Sequence, residues 1–111
     1  MEQISFSDFG KIEVRTGTII HAEVFAKAKK PAYKLKIDFG AFGIKQSSAQ
    51  ITTHYTASEL IGKQILAVVN FPVKQIADFM SECLVLGLYQ HDGSVILITT
   101  ERCVDNGLRL G

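Results

Sequence analysis

The sequence has no tryptophan, two prolines and two cysteines in 111 residues, and its formal net charge is +1. Cys83 and Cys103 belong to no CxxC pair and are too few for a disulfide framework, so they read as reduced and structural. With 47% hydrophobic residues, no low-complexity tract and almost no charge excess, the chain cannot be intrinsically disordered. Its longest apolar stretches, Ile65 to Val69 and Cys83 to Tyr89, fall far short of the roughly 18 residues needed to span a bilayer. The opening residues lack the basic segment and apolar run of a secretory signal, and the expected location is therefore cytoplasmic. His21, His54 and His91 stand at no metal-ligand spacing, and the sequence contains no HExxH, GxSxG, GxGxxG or P-loop pattern. No metal or cofactor is expected. Ser47 and Ser48 lie near His54, but a serine nucleophile also needs a base, an orienting group and an oxyanion hole, so no catalytic function is expected.

What is present fits one folded domain over residues 1–111. Val14 to Phe25 is β-branched and broken by Gly17, which suits a long strand that bends where a side chain is missing. Tyr33 to Phe39 alternates strictly, with Tyr33, Leu35, Ile37 and Phe39 on one face and Lys34, Lys36 and Asp38 on the other. Ile44 to Thr52 is strand-like but polar on both faces. Thr56-Ala57-Ser58-Glu59 is a capping box that starts a helix of one to two turns. Ile65 to Asn70 reads as a fourth strand ended by Phe71-Pro72, followed by a loop of about ten residues. Glu82 to Gln90 reads as a fifth strand, and Asp92-Gly93 as a type I′ turn into Val95 to Thr100.

Five strands, a long first strand and a short helix between strands three and four predict an all-β, five-stranded Greek-key barrel of the OB type with N- and C-terminal extensions; another small barrel or sandwich fits the same pattern less well. Lys27, Lys29, Lys30, Lys34 and Lys36 lie within ten residues, with no acidic residue between Glu23 and Asp38. Such a run suits a solvated loop as well as an anion site. In an OB barrel, however, ligands meet strands two and three and the loops after strands one and four. The candidate site is therefore Lys30, Lys34, Lys36, Lys45, Ser47 and Gln50, with Lys74 and Gln75 from the later loop. Arg15, which opens strand one, is a secondary candidate for phosphate contact or for pairing with an acidic neighbour.

Several tracts are more specific: Lys30 to Gly40, Gly43 to Thr52, Val68-Val69-Asn70-Phe71-Pro72, Ser81 to Gly87, Val14-Arg15-Thr16-Gly17-Thr18 and Asn106-Gly107. Together they closely resemble the CsaA family of export-related chaperones, itself similar to the tRNA-binding modules of some aminoacyl-tRNA synthetases. The resemblance implies a homodimer that binds tRNA and unfolded or export-bound polypeptides, with the export machinery as a further partner. In the wider family the loop after strand four opens with asparagine and closes with serine, followed three positions later by methionine. Asn70 and Ser81 match, and Leu84 takes the place of the methionine. Asn70 and Ser81 suit a strand-ending hydrogen bond as well as a ligand contact. Phe71 and Phe79 suit stacking on a base or packing of the loop.

Two binding functions follow. In one, lysines contact tRNA phosphates while Asn70, Ser81 and Gln50 supply hydrogen bonds. In the alternative, the chain is a dedicated peptide-binding export chaperone, its tRNA binding incidental, using apolar surface beside the same groove. Apolar residues outside the five strands, among them Phe6, Phe9, Leu97 and Leu108, are the expected dimer contacts.

Overall fold

The computed structural model describes residues 1–111. A five-stranded antiparallel sheet in the order β3-β2-β1-β4-β7 curls into a nearly closed barrel. Its strands are β1 (Val14–Val24), β2 (Tyr33–Asp38), β3 (Ile44–Ala49), β4 (Gln64–Val68) and β7 (Leu84–Val85). Helix α1 (Phe6–Gly10) precedes the barrel and helix α2 (Ala57–Leu60) lies between β3 and β4; two hairpins, β5 (Lys74–Ile76) with β6 (Phe79–Ser81) and β8 (Gly87–Tyr89) with β9 (Val95–Leu97), stand outside the main sheet. The all-β barrel expected from the strand order is the observed architecture, with few and short helices.

The alternation of β2 does what its spacing demands. Leu35, Ile37 and Phe39 are buried with Ile19, Ile65 and Leu60, and each such side chain contributes roughly 1.5–3 kcal/mol by leaving water. Leu60 arrives from α2, whose Thr56 accepts the Glu59 amide while the Glu59 carboxylate accepts the Thr56 amide, the expected capping box. The same device starts α1, where Ser5 and Asp8 cap each other.

The bend in β1 falls elsewhere than Gly17. Its register against β2 shifts between Ile19 and His21, a bulge that turns Ile20 outward. Gly17 instead permits a close approach: a Cβ there would lie 2.6 Å from Ile37 and 2.8 Å from the Phe39 ring.

The expected fifth strand is divided. The Leu86 amide donates to Leu66 in the barrel while the Leu86 carbonyl accepts from Ile98, so the chain leaves the main sheet at this residue and continues as β8 of a hairpin. The Asp92-Gly93 turn is not type I′, which needs two positive φ angles. Only Gly93 has one, and Gly93 N–H donates to Gln90 C=O, so a type I-like turn is followed by a left-handed glycine. The loop after β4 is also more ordered than expected, since β5 and β6 pair through Lys74↔Ser81, Gln75↔Met80 and Ile76↔Phe79.

The C-terminal segment is strapped along β1. Thr16 Oγ1 donates to the Asp105 carbonyl, Thr18 Oγ1 donates to Asn106 Oδ1, and Gln64 donates to Asn106 and to the Val104 carbonyl.

Candidate nucleic-acid interface

Strand register decides which side chains share a face. Past the bulge, His21 lies opposite Lys36 and Glu23 opposite Lys34; across β3, Lys36 lies opposite Gln46 and Lys34 opposite Ser48. Because side chains alternate, these six project from one outer surface of the barrel. Lys30 is exposed in the loop between β1 and β2 that borders it.

The two loops beside this surface are fastened together. Phe25 and Ala32 from the first and Phe79 from the β5–β6 hairpin form a small buried cluster, with the two rings edge-on at 5.4 Å between centroids. Lys34 Nζ lies 4.9 Å from the Phe25 centroid and 5.4 Å from that of Phe79, a cation–π arrangement. Lys27 Nζ donates to Asp78 at 2.7 Å. That hydrogen bond holds the Asp78 carboxyl below the usual carboxylate range and raises the Lys27 ammonium. Phe79 therefore packs its loop against the barrel, the second of the two roles its position suited. A recess of about 190 Å³ remains among His21, Glu23, Lys34, Lys36, Gln46 and Phe79.

A second, larger concavity of about 820 Å³ borders the same hairpin. It opens where β3 and the chain before β7 part. These segments meet through the Glu82 amide donating to Gln46 C=O, Gln46 N–H donating to the Glu82 carboxylate, and the Ser48 amide donating to Ser81 Oγ, rather than through a regular ladder. Beyond that seam, Gln50, Phe71, Lys74 and Ser81 line the mouth and Ile51 and Val85 lie among its apolar walls.

The candidate residues thus divide into groups. Lys30, Lys34 and Lys36 belong to the outer surface, and Gln50, Phe71, Lys74 and Ser81 to the cleft. Gln75 is exposed on the opposite side of its hairpin, its amide donating to the Ala77 carbonyl. Ser47 is 1% exposed and donates to the Cys83 carbonyl, which closes the barrel and places its hydroxyl out of a ligand's reach. Lys45 pairs with the inward-facing Ile37 and so leaves β3 on the face opposite Lys36. Both of Asn70's amide groups are engaged, Oδ1 accepting the Glu13 amide and Nδ2 donating to the Lys11 carbonyl, so it anchors the segment ahead of β1. Arg15 pairs with Glu13 at 2.9 Å, donates to the Gly107 carbonyl and stacks 4.1 Å from the Phe42 centroid, on the C-terminal strap.

His21, Glu23, Gln46 and Ser48 complete the outer surface and were missed. Gln46 and Ser48 alternate with Ser47 in a tract polar on both faces, and the bulge reverses the parity of His21 and Glu23. His54 contacts neither Ser47 nor Ser48; its Nε2 lies 2.8 Å from Ser94 Oγ on the β8–β9 hairpin.

Residues 14–109 match the family described as "Putative tRNA binding domain". The chain is 36% identical over 95 residues to a methionine–tRNA ligase from Chlorobium chlorochromatii, an alignment covering 86% of this chain and 13% of the ligase. It thus spans a small fraction of the length of the ligases it matches. Among solved structures, the CsaA chaperone of Bacillus anthracis strain Ames is 48% identical, with a TM-score of 0.95 and coverage of 99% of this chain and 100% of that one. The CsaA chaperone protein of Picrophilus torridus is 52% identical, with a TM-score of 0.91 and coverage of 98% and 100%. A lysine-bearing barrel face, two fastened loops and these full-length likenesses place the chain in the tRNA-binding domain family, within its CsaA branch.

Proposed function

We propose that this chain is a cytoplasmic, non-catalytic binding module that holds tRNA on the outer face of β1–β3 and acts as a homodimer with chaperone activity toward unfolded or export-bound polypeptides. The observation that carries tRNA binding is the register that sets Lys34 and Lys36 side by side, with Lys30 in the loop above them. These cations supply sequence-independent phosphate contacts, and loops fastened in advance lose little freedom on binding. The Lys30→Ala, Lys36→Ala double variant is expected to weaken tRNA binding roughly tenfold at low salt with its fold intact. Unchanged affinity, measured by fluorescence anisotropy of labelled bulk tRNA, would contradict the assignment.

The cleft supports the chaperone part of the reading. Its apolar walls beneath Lys74, Gln50 and Ser81 suit an extended polypeptide with apolar side chains, and the similar CsaA proteins are described as chaperones. This favours a polypeptide site apart from the lysine face, with the dedicated peptide-binding chaperone as the second reading. An unfolded polypeptide that displaced tRNA at matched affinity would favour that second reading.

A further inference from the structure

Glu23 is out of place on a phosphate-binding surface. It lies directly opposite Lys34, where a cross-strand ion pair ordinarily forms. Lys34 instead holds its ammonium over the Phe25 and Phe79 rings, and Glu23 makes no ion pair with any lysine. Its nearest basic neighbour is His21, with Nε2 at 3.7 Å. The side chain is 58% exposed, so the carboxylate is open to a ligand. Next to phosphates alone it would be repulsive.

A second acceptor lines the same recess. Gln46 Nε2 donates to the Met80 carbonyl at 2.9 Å, and Gln46 Oε1 takes no hydrogen bond within the protein. Phe79 and the stem of Lys34 form an apolar wall, while Lys36 stands at the rim. Two acceptors beside an apolar wall and a cation match a planar group that carries N–H donors and is joined to a phosphate.

We propose that this recess reads one unpaired nucleobase bearing an exocyclic amino group, with Glu23 as the residue that selects it. The inference rests on RNA binding at the lysine face. Adenine and cytosine present an amino group that a carboxylate accepts from, whereas uracil presents carbonyl oxygens in its place. Lys36 then takes the adjoining phosphate.

The test compares labelled oligo(A), oligo(C) and oligo(U) of equal length at low salt, with bulk tRNA in parallel, for the wild-type chain, Glu23→Ala and Glu23→Gln. Wild type is expected to bind oligo(A) and oligo(C) about five- to tenfold more tightly than oligo(U). Both variants should bring that ratio near one, chiefly by improving oligo(U). Equal binding of all three oligomers by wild type, or a uniform gain for all three in Glu23→Ala, overturns the inference while tRNA binding stands. Failure of both tRNA and the oligomers to bind overturns the RNA-binding reading and this inference together.

Discussion

Lys34 and Lys36 leave the same strand on the same face, yet their surroundings give them different work. Lys36 is free at the rim, while Lys34 caps two aromatic rings. Lys34→Ala should therefore lower the unfolding free energy by about 0.5–1 kcal/mol, a cation–π contribution, whereas Lys36→Ala should leave it unchanged; urea denaturation of the two variants checks this. Cys83 is a second case of environment deciding chemistry. Burial, aided by the neighbouring Glu82 carboxylate and opposed by Ser47 and Lys45, pushes its thiol from 9.0 to about 11. Cys103 is exposed. A thiol reagent at pH 8 should modify one cysteine per native chain and two in denaturant. Because the unfolded thiol ionises from about pH 9 and the folded one only near 11, the linked stability is intact below pH 9 and declines as pH rises between these values. The lysine positions were legible in the sequence because β2 alternates apolar and charged residues without exception. Ser47 and Lys45 were not, since a strand polar on both faces carries no sign of its parity. For Asn70 and Arg15 the sequence left a structural hydrogen bond or an acidic neighbour beside a ligand contact, and Arg15 does pair with Glu13; the partners Lys11 and Gly107, 59 and 92 residues away, carried no local signal.

The elements that local chemistry specifies were the ones that could be anticipated. The Thr56–Glu59 box declares α2 by itself; α1 was not anticipated, although Ser5–Asp8 carries the equivalent signal with Asp8 in place of glutamate. The hairpin between β4 and β7 has no such signature. Its two-residue turn runs through Ala77 with φ at +52°, a conformation that favours glycine, and the hairpin is held by the docking of Phe79 on Phe25 and by the Lys27–Asp78 pair. Ala77→Gly should relieve the left-handed penalty by more than the entropy it adds to the unfolded chain, raising stability by roughly 0.5–1 kcal/mol in urea melts. A loss of stability would show that the turn is not strained. The division of residues 82–90 was hidden for a related reason, because a continuous apolar run does not reveal that Leu86 bonds to the barrel on one side and to the chain after β9 on the other.

The barrel alone leaves apolar surface open at its ends. Phe6 and Leu108 are exposed, whereas Phe9 is half-buried and Leu97 packs against the core, so Phe6 and Leu108 are the exposed ones among the expected terminal contacts. For the proposed dimer, Phe6 and Leu108 are the informative positions. Phe6→Asp and Leu108→Asp should each give a folded monomer in analytical ultracentrifugation, and an intact dimer in both would remove the terminal segments from the interface. A dimer presents two lysine faces to one large ligand and so gains avidity without new contacts. The most direct test of tRNA binding on those faces is the salt dependence of bulk tRNA affinity for the wild-type chain. Contact with about four phosphates predicts a log–log slope near −3, at roughly −0.7 per contact as for single strands. A slope near zero, or no binding at the lowest salt, would contradict the account.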